Sequence, residues 1–210
     1  MEYPEEWNDL PKRERKKKLK ELKRQKEEQQ ATSGKIKSAV IFLVVLVILG
    51  VGYRLVTKRT PEEAAFEKEV EEVSLDGKVE EFEIEGREHI GVDEVISYGS
   101  NPPTSGAHWA EPADWGFYDT ELTDEQLVHN IEHGGIWITY KDLDEDDINK
   151  LKNIARNNSD RVIVTKREKN DDPIAVASWG RYMKLQEIDE VLIQKYIDTH
   201  VNDSPEKLAH

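Results

Sequence analysis

The chain has no cysteine. Disulfide staples, thiol redox chemistry and thiolate metal ligation are therefore excluded, and any folded part must be held by its apolar core alone. Basic residues are scarce after Arg54: from Leu55 onward there are 17 Lys/Arg against 36 Asp/Glu. The basic residues are concentrated instead in KRERKKKLKELKRQK, Lys12 to Lys26, which contains no aromatic side chain. Without aromatic interleaving the run lacks the stacking surface of a nucleic-acid binder, so nucleic acid is set aside as a partner. Long apolar runs are few as well. The one that stands out is SAVIFLVVLVILGVGY, Ser38 to Tyr53, sixteen residues without a charge.

That run organises the N-terminal quarter. Counted on past Arg54 to Thr57 it is just long enough to cross a hydrocarbon core of roughly 30 Å as a helix, with the arginine head reaching the interface. A cleaved signal peptide would have a shorter basic head and a small-residue cleavage motif, and a buried core helix would show one polar face. The expectation is a basic cytoplasmic head over residues 1–37, a single transmembrane helix over 38–57, a charged stalk over 58–72 and an extracytoplasmic domain over 73–210. Lys and Arg concentrated ahead of a spanning helix stay inside, so the N-terminus is expected in the cytoplasm and the domain outside the cell membrane. The lipid bilayer is the first expected partner, with attraction of the basic head to anionic lipid headgroups.

After the apolar run, TPEEAAFEKEVEE predicts a short charged helix opened by Pro61. Lys78–Ile84 predicts a strand, and 86–100 a loop with a second short strand near Val92–Tyr98. Thr123 followed by Gln126 has the form of a capping box and opens a helix that runs to His133 and stops at Gly134-Gly135. Strands follow at 136–140, 161–166 and 174–179, a helix capped by Asp144 lies between the first two, and a last helix covers about 188–201. The tail NDSPEKLAH is expected to fray. The order is that of an α/β (α+β) domain, a mixed-sheet sandwich with thioredoxin-like topology as the specific expectation. Pro173, just before the penultimate element, stands where that topology has its proline.

The stretch 101–140 holds three of the six histidines, three of the five tryptophans and three of the eight prolines, the composition of a built site rather than a solvated loop. His129 and His133 lie four apart on one helical face, within reach of one ion. At 100° per residue, Leu127, Val128 and Ile131 fall on the opposite side, so the histidines look away from the core and the segment carrying His108 is the natural cover. The candidate metal ligands are His108, His129 and His133, with His89 or Met183 as a fourth donor. Three imidazoles suit zinc or copper, and a thioether would favour copper. Glu132 is less well phased for the same ion and reads as a residue behind the ligands.

Two other readings of the same residues stay open. The histidines could hydrogen-bond backbone carbonyls and hold the irregular loop in place, in a binding or assembly module that meets another envelope protein. Alternatively HNIEH fits HxxEH, the signature of a zinc-protease class, with Glu132 as general base. An acid/base role without a metal is also compatible with this composition. Trp109, Trp115, Tyr118, Trp137 and Trp179 read as core before ligand wall. Thr104-Ser105-Gly106 reads as a turn before an anion nest. Whether the protein is an enzyme is not decided by these residues.

The segments PPTSGAHW, WGFY and LVHNIEHGGIWITY resemble the membrane-anchored domain of unknown function family 3105 of prokaryotes. The family pattern runs PPTSGPH, G-x-Y, VHxLEHG before an apolar strand, then AWG and a late Pro-Glu. It is matched at Pro102 to Gly106 and His108, at Gly116 and Tyr118, at Val128, His129, Glu132, His133 and Gly134, and at Trp179-Gly180 and Pro205-Glu206. His89 stands where the family has a histidine ahead of the site. Ala107 and Ile131 depart from the usual proline and leucine, and neither is a candidate ligand. The resemblance implies the position of the site and membrane anchoring, and no reaction.

Overall fold

The computed structural model describes the backbone of residues 6, 11–56 and 59–209, and the side chains of these except 28–41 and 51–56. The chain falls into two compact units, Met1–Thr60 and Pro61–His210. The first contains one helix, α1 (Lys12–Val56). It runs from the basic segment into the apolar one without a break, because no proline interrupts 12–56 and the Lys, Glu, Leu, Arg and Gln residues of its first half are strong helix formers. The helix carries on through residue 37, the expected end of the basic head. Among the described residues no helix is long and apolar enough to cross a membrane, so the transmembrane helix expected over 38–57 gains no support there. Of that segment only Phe42–Gly50 have described side chains, all exposed; the side chains of 38–41 and 51–56, and the whole of Thr57, lie outside the described residues.

The second unit opens with α2 (Pro61–Glu72) and continues through β1 (Val79–Glu81), β2 (His89–Ile90), β3 (His108–Trp109) and β4 (Gly116–Tyr118). Then come α3 (Asp124–Glu132), β5 (Ile136–Tyr140), α4 (Glu145–Asn157), β6 (Val162–Lys166), β7 (Ile174–Ser178), β8 (Arg181–Leu185) and α5 (Glu190–His200). Six strands form one mixed sheet in the order β1-β8-β7-β5-β6-β4. β4, β6 and β5 are parallel, while β7 runs antiparallel to β5 and β8, and β1 antiparallel to β8. The mixed α+β class expected from the element order is the one found.

The alternation of IWITY splits the core between the two faces of the sheet. Ile136, Ile138 and Tyr140 pack with Leu151, Ile154 and Ala155 of α4 and with Leu192, Ile193, Tyr196 and Ile197 of α5. Trp137 lies on the other face with Leu127, Val128 and Ile131 of α3. All three α3 residues are fully buried, each worth roughly 1.5–3 kcal/mol. Asp144 caps α4 by accepting from Asp147 N at 2.9 Å, as its position before the acidic first turn predicts.

Several elements depart from the sequence expectation. β1 is only three residues long, and Val92–Tyr98 forms no strand: Val92 and Val95 are exposed, with no alternating partner face. β8 was not expected, because Trp179-Gly180 read as the end of β7. It is a two-residue hairpin turn with Gly180 at φ +72, and Ser178 faces Arg181 across it. α2 is no free stalk, since Lys195 Nζ of α5 donates to Glu71 O and Val70 is buried.

The C-terminal tail does not fray. Asn202 N donates to Gly134 O, Glu206 N to Glu132 O, and Leu208 and Ala209 N to His133 O. These are the carbonyls that the end of α3 leaves without intrahelical partners, so residues 202–209 form a strap that completes the helix terminus. The two glycines after α3 make room for it. Gly134 sits at φ +90, and a Cβ there would lie 2.5 Å from Asn202 Oδ1 and 2.9 Å from Asn202 Cα. Gly135 lies under the Trp115 ring, whose carbons would be 2.3 Å from an added Cβ. Gly134→Ala is expected to lower stability by roughly 1–3 kcal/mol through the left-handed backbone and the displaced strap together. Chemical denaturation of the full chain measures this, and an unchanged midpoint would mean that the strap does not hold the helix end.

Candidate metal centre

α3 is placed by its apolar stripe, and its polar side is covered by a separate two-stranded ladder. In that ladder β2 and β3 run parallel with His89 opposite His108 and Ile90 opposite Trp109. The register sets the two imidazoles side by side, with ring centroids 5.0 Å apart. His129 rises from α3 between them, 4.9 Å from each ring. One ligand atom from each of His89, His108, His129 and Glu132 falls within 4.8 Å of all the others. His108, His129 and Glu132 are buried, and His89 is exposed at the mouth of the group.

Hydrogen bonds fix which ring nitrogens face inward. His108 Nδ1 lies 2.8 Å from Gly106 O and His129 Nδ1 2.6 Å from Trp109 O. A carbonyl oxygen only accepts, so each Nδ1 carries the proton and, in the neutral ring, each Nε2 is left as a lone pair. His108 Nε2 faces Glu132 Oε2 at 3.0 Å, a contact that needs one proton between the two atoms, which a cation would replace. His129 Nε2 lies 2.9 Å from His133 Nε2, and that atom in turn lies 3.2 Å from Glu206 Oε2. An imidazole whose far nitrogen donates to a backbone carbonyl has the usual support of a metal-ligating histidine. Adjacent donors on a tetrahedral ion are about 3.3 Å apart, so the His108–Glu132 pair at 3.0 Å is near that spacing, and with every pair within 4.8 Å the others need to close by about 1.5 Å at most.

Burial holds His129 neutral. Its pKa is lowered from 6.5 to about 4, mainly by desolvation and further by the neighbouring His133, His108 and His89, while the bond to Trp109 O opposes the shift. Electrostatically the group is one buried carboxylate among imidazoles, of which His129 is neutral at physiological pH. A divalent cation would satisfy the carboxylate and the inward lone pairs together.

Both ends of α3 are tied down. Arg167, itself buried, donates from Nε and Nη2 to the two carboxylate oxygens of Asp124 at 2.8 and 2.9 Å, and from Nη1 to Asn101 and Asn170. This fork joins the first turn of α3 to the PPTSG segment. Thr123 makes no side-chain cap, so the capping box read from the sequence does not form; Asp124 engages Arg167 instead. Glu125 accepts from Ile96 N and anchors the loop after β2. Ser105 Oγ accepts from Glu85 N, and Thr104 O from Gly180 N, so Thr104-Ser105 is a buried turn.

The expected residues are distributed as follows. His108, His129 and His89 come together, and Glu132, expected behind the ligands or as a base, stands among them. It is three residues after His129 and still helical, whereas His133 is the C-cap with ψ near 3° and turns toward the strap. His133 meets the group through His129. Met183, the other candidate fourth donor, is excluded: it is fully buried in the core on the α4–α5 face of the sheet, paired in register with Val79 and Val176. Trp137 and Trp179 are core, with Trp115 and Tyr118 packed against them. Glu206 beside His133 was not expected at the site, and its only sequence signal is the Pro205-Glu206 pair.

A mixed α+β domain carrying a buried histidine–carboxylate group is the class of protein that fold and site define. The chain belongs to the family described as protein of unknown function (DUF3105), which it matches over residues 89–210. No curated protein and no solved structure matches it.

The lowered pKa of His129 makes stability depend on pH. As pH falls below 6.5 the unfolded chain takes up a proton that the folded chain refuses until about 4. In metal-free protein in chelator, His129 alone is therefore expected to cost up to about 3 kcal/mol of stability, less solvent screening, as pH falls from about 6.5 to 4. Denaturant unfolding across this range tests it. His129→Gln should flatten the profile, leaving the smaller contribution of His200, whose pKa burial lowers in the same direction.

Proposed function

We propose that the domain is a metal-binding module that holds zinc or copper through His108, His129 and Glu132, with His89 as the exposed fourth donor. The observation that supports this reading is the anchoring of His108 and His129 Nδ1 to carbonyls, which leaves both Nε2 atoms clear of the backbone, that of His108 beside Glu132 and that of His129 beside His133, within a group whose ligand atoms lie within 4.8 Å of one another. Three imidazoles and one carboxylate, without sulfur, suit zinc and copper(II) and argue against calcium or magnesium, which take oxygen. With Met183 in the core, no thioether among the described residues is at hand to favour copper over zinc. A structural role for the histidines shares the carbonyl bonds but gives the buried Glu132 side chain, among the described residues, only the His108 imidazole. The hydrolase reading is the weaker rival, because Glu132 is engaged with His108 and is not free as a base.

The scaffold reading goes with this. The order β4-β6-β5-β7-β8, three parallel strands followed by two alternating ones, supports thioredoxin-like topology, used here without cysteines. The charge-free run Ser38–Tyr53 behind a basic segment supports display of the domain from the outer face of the cell membrane, with the N-terminus inside and an envelope protein as partner.

Elemental analysis of the full chain, purified without a polyhistidine tag, tests the metal. Stoichiometric zinc or copper is expected in the wild type, with loss in folded His108→Ala and His129→Ala variants and retention in His133→Ala. No metal after reconstitution would sink the module reading, and loss in His133→Ala with retention in Glu132→Gln would return the ligand set to the HxxEH arrangement.

A further inference from the structure

His133 Nε2 stands between two acceptors. Because His129 Nδ1 carries its proton toward Trp109 O, the His129 Nε2 at 2.9 Å can only accept, and the hydrogen between the two rings must belong to His133. The other acceptor is Glu206 Oε2 at 3.2 Å, a carboxylate. One N–H therefore has two claimants, and the charged one forms the stronger bond. When His133 donates to His129, it occupies the lone pair that a cation needs. When it donates to Glu206, that lone pair is open.

Glu206 does not reach this position by chance of a loose tail. Its own N–H donates to Glu132 O at 3.2 Å, two residues on Leu208 N donates to His133 O at 2.9 Å, and Asn202 and Ala209 close the strap on themselves through the Asn202 side chain. Ala209 is 1% exposed, so the far end of the strap is seated as well. The backbone of Glu206 is thus in register with the two residues of α3 that matter, Glu132 and His133.

We propose that Glu206 is a positioning residue of the centre: by taking the N–H of His133 it keeps the Nε2 of His129 available to a cation. This rests on His129 being a ligand, but its geometry is testable without metal. In metal-free full-length protein, the side-chain nitrogen resonance of His129 Nε2 should be that of a bare imine nitrogen. In Glu206→Ala it should move toward the hydrogen-bonded position, while Glu206→Gln, whose amide oxygen still accepts, should stay near the wild type. Zinc affinity, measured by chelator competition, should fall about 10- to 100-fold in Glu206→Ala. It should change little more when Glu206→Ala is added to His133→Ala, because the competing donor is gone. An unmoved His129 resonance overturns the proposal whether or not zinc binds, and so does an equal loss of affinity with and without His133. Should the wild type bind no zinc, the metal reading fails separately, and the resonance alone decides the role of Glu206.

Discussion

Two hydrogen bonds from ring nitrogens to backbone carbonyls, His108 to Gly106 and His129 to Trp109, are the constraint on which the site depends. Each fixes a tautomer and a ring direction at once. Free in solution, an imidazole chooses between two nitrogens and rotates about two bonds; here a carbonyl that can only accept makes the choice. The carbonyls are as important as the rings. Trp109 O must lie over the middle of α3 for His129 to reach it, which requires the short ladder of β2 and β3 to sit on the helix face opposite the core. The parallel register of that ladder then brings His89 in beside His108 with no further device.

The rest of the fold holds α3 at both ends while leaving its polar side to the β2–β3 ladder. At the first turn the Arg167–Asp124 fork is buried and bidentate, the geometry in which such a pair contributes most to orientation. At the last turn the strap supplies N–H groups to carbonyls that the helix cannot satisfy itself. Between them the stripe of Leu127, Val128 and Ile131 presses the helix on the sheet around Trp137, whose indole N–H is satisfied by Thr165 Oγ1. A helix of nine residues would be marginal alone, and here it is fixed on three sides.

The parts of this arrangement that were legible in the sequence are those written in periodicity. The apolar stripe of α3, the alternation of IWITY, the Asp144 cap and the terminating glycines follow from local rules, and the helical phase correctly turned His129 away from the core toward the segment bearing His108. What was not legible depends on partners distant in sequence. Thr123 has the form of a cap but Asp124 is claimed by Arg167, 43 residues away. Met183 reads as a free thioether until β8 is recognised as a strand, and that strand is hidden behind a two-residue turn. The tail looks polar and short, yet its N–H groups are aimed at a helix end more than sixty residues earlier. At 100° per residue Glu132 and His133 fall about 60° and 40° to either side of His129, so phase alone favours His133, and the end of the helix between them decides that Glu132 stays with the group.

Charge at two scales then bears on what such a group would accept. The chain from Leu55 onward is strongly acidic, and a surface of that sign raises the local concentration of every cation, without preference. Selection has to come from the site. A carboxylate cage would take the abundant hard cations that the surface attracts first. Replacing three of four carboxylates by imidazoles removes most of that affinity, because neutral nitrogen donors bind zinc and copper and compete poorly for magnesium or calcium. Burial of His129 keeps one of them in its neutral, ligating form down to mildly acidic pH, at the cost of folded stability when no cation is present. On the proposed reading the acidic surface would gather cations and the cluster would discriminate among them, with the exposed ring of His89 where the two meet.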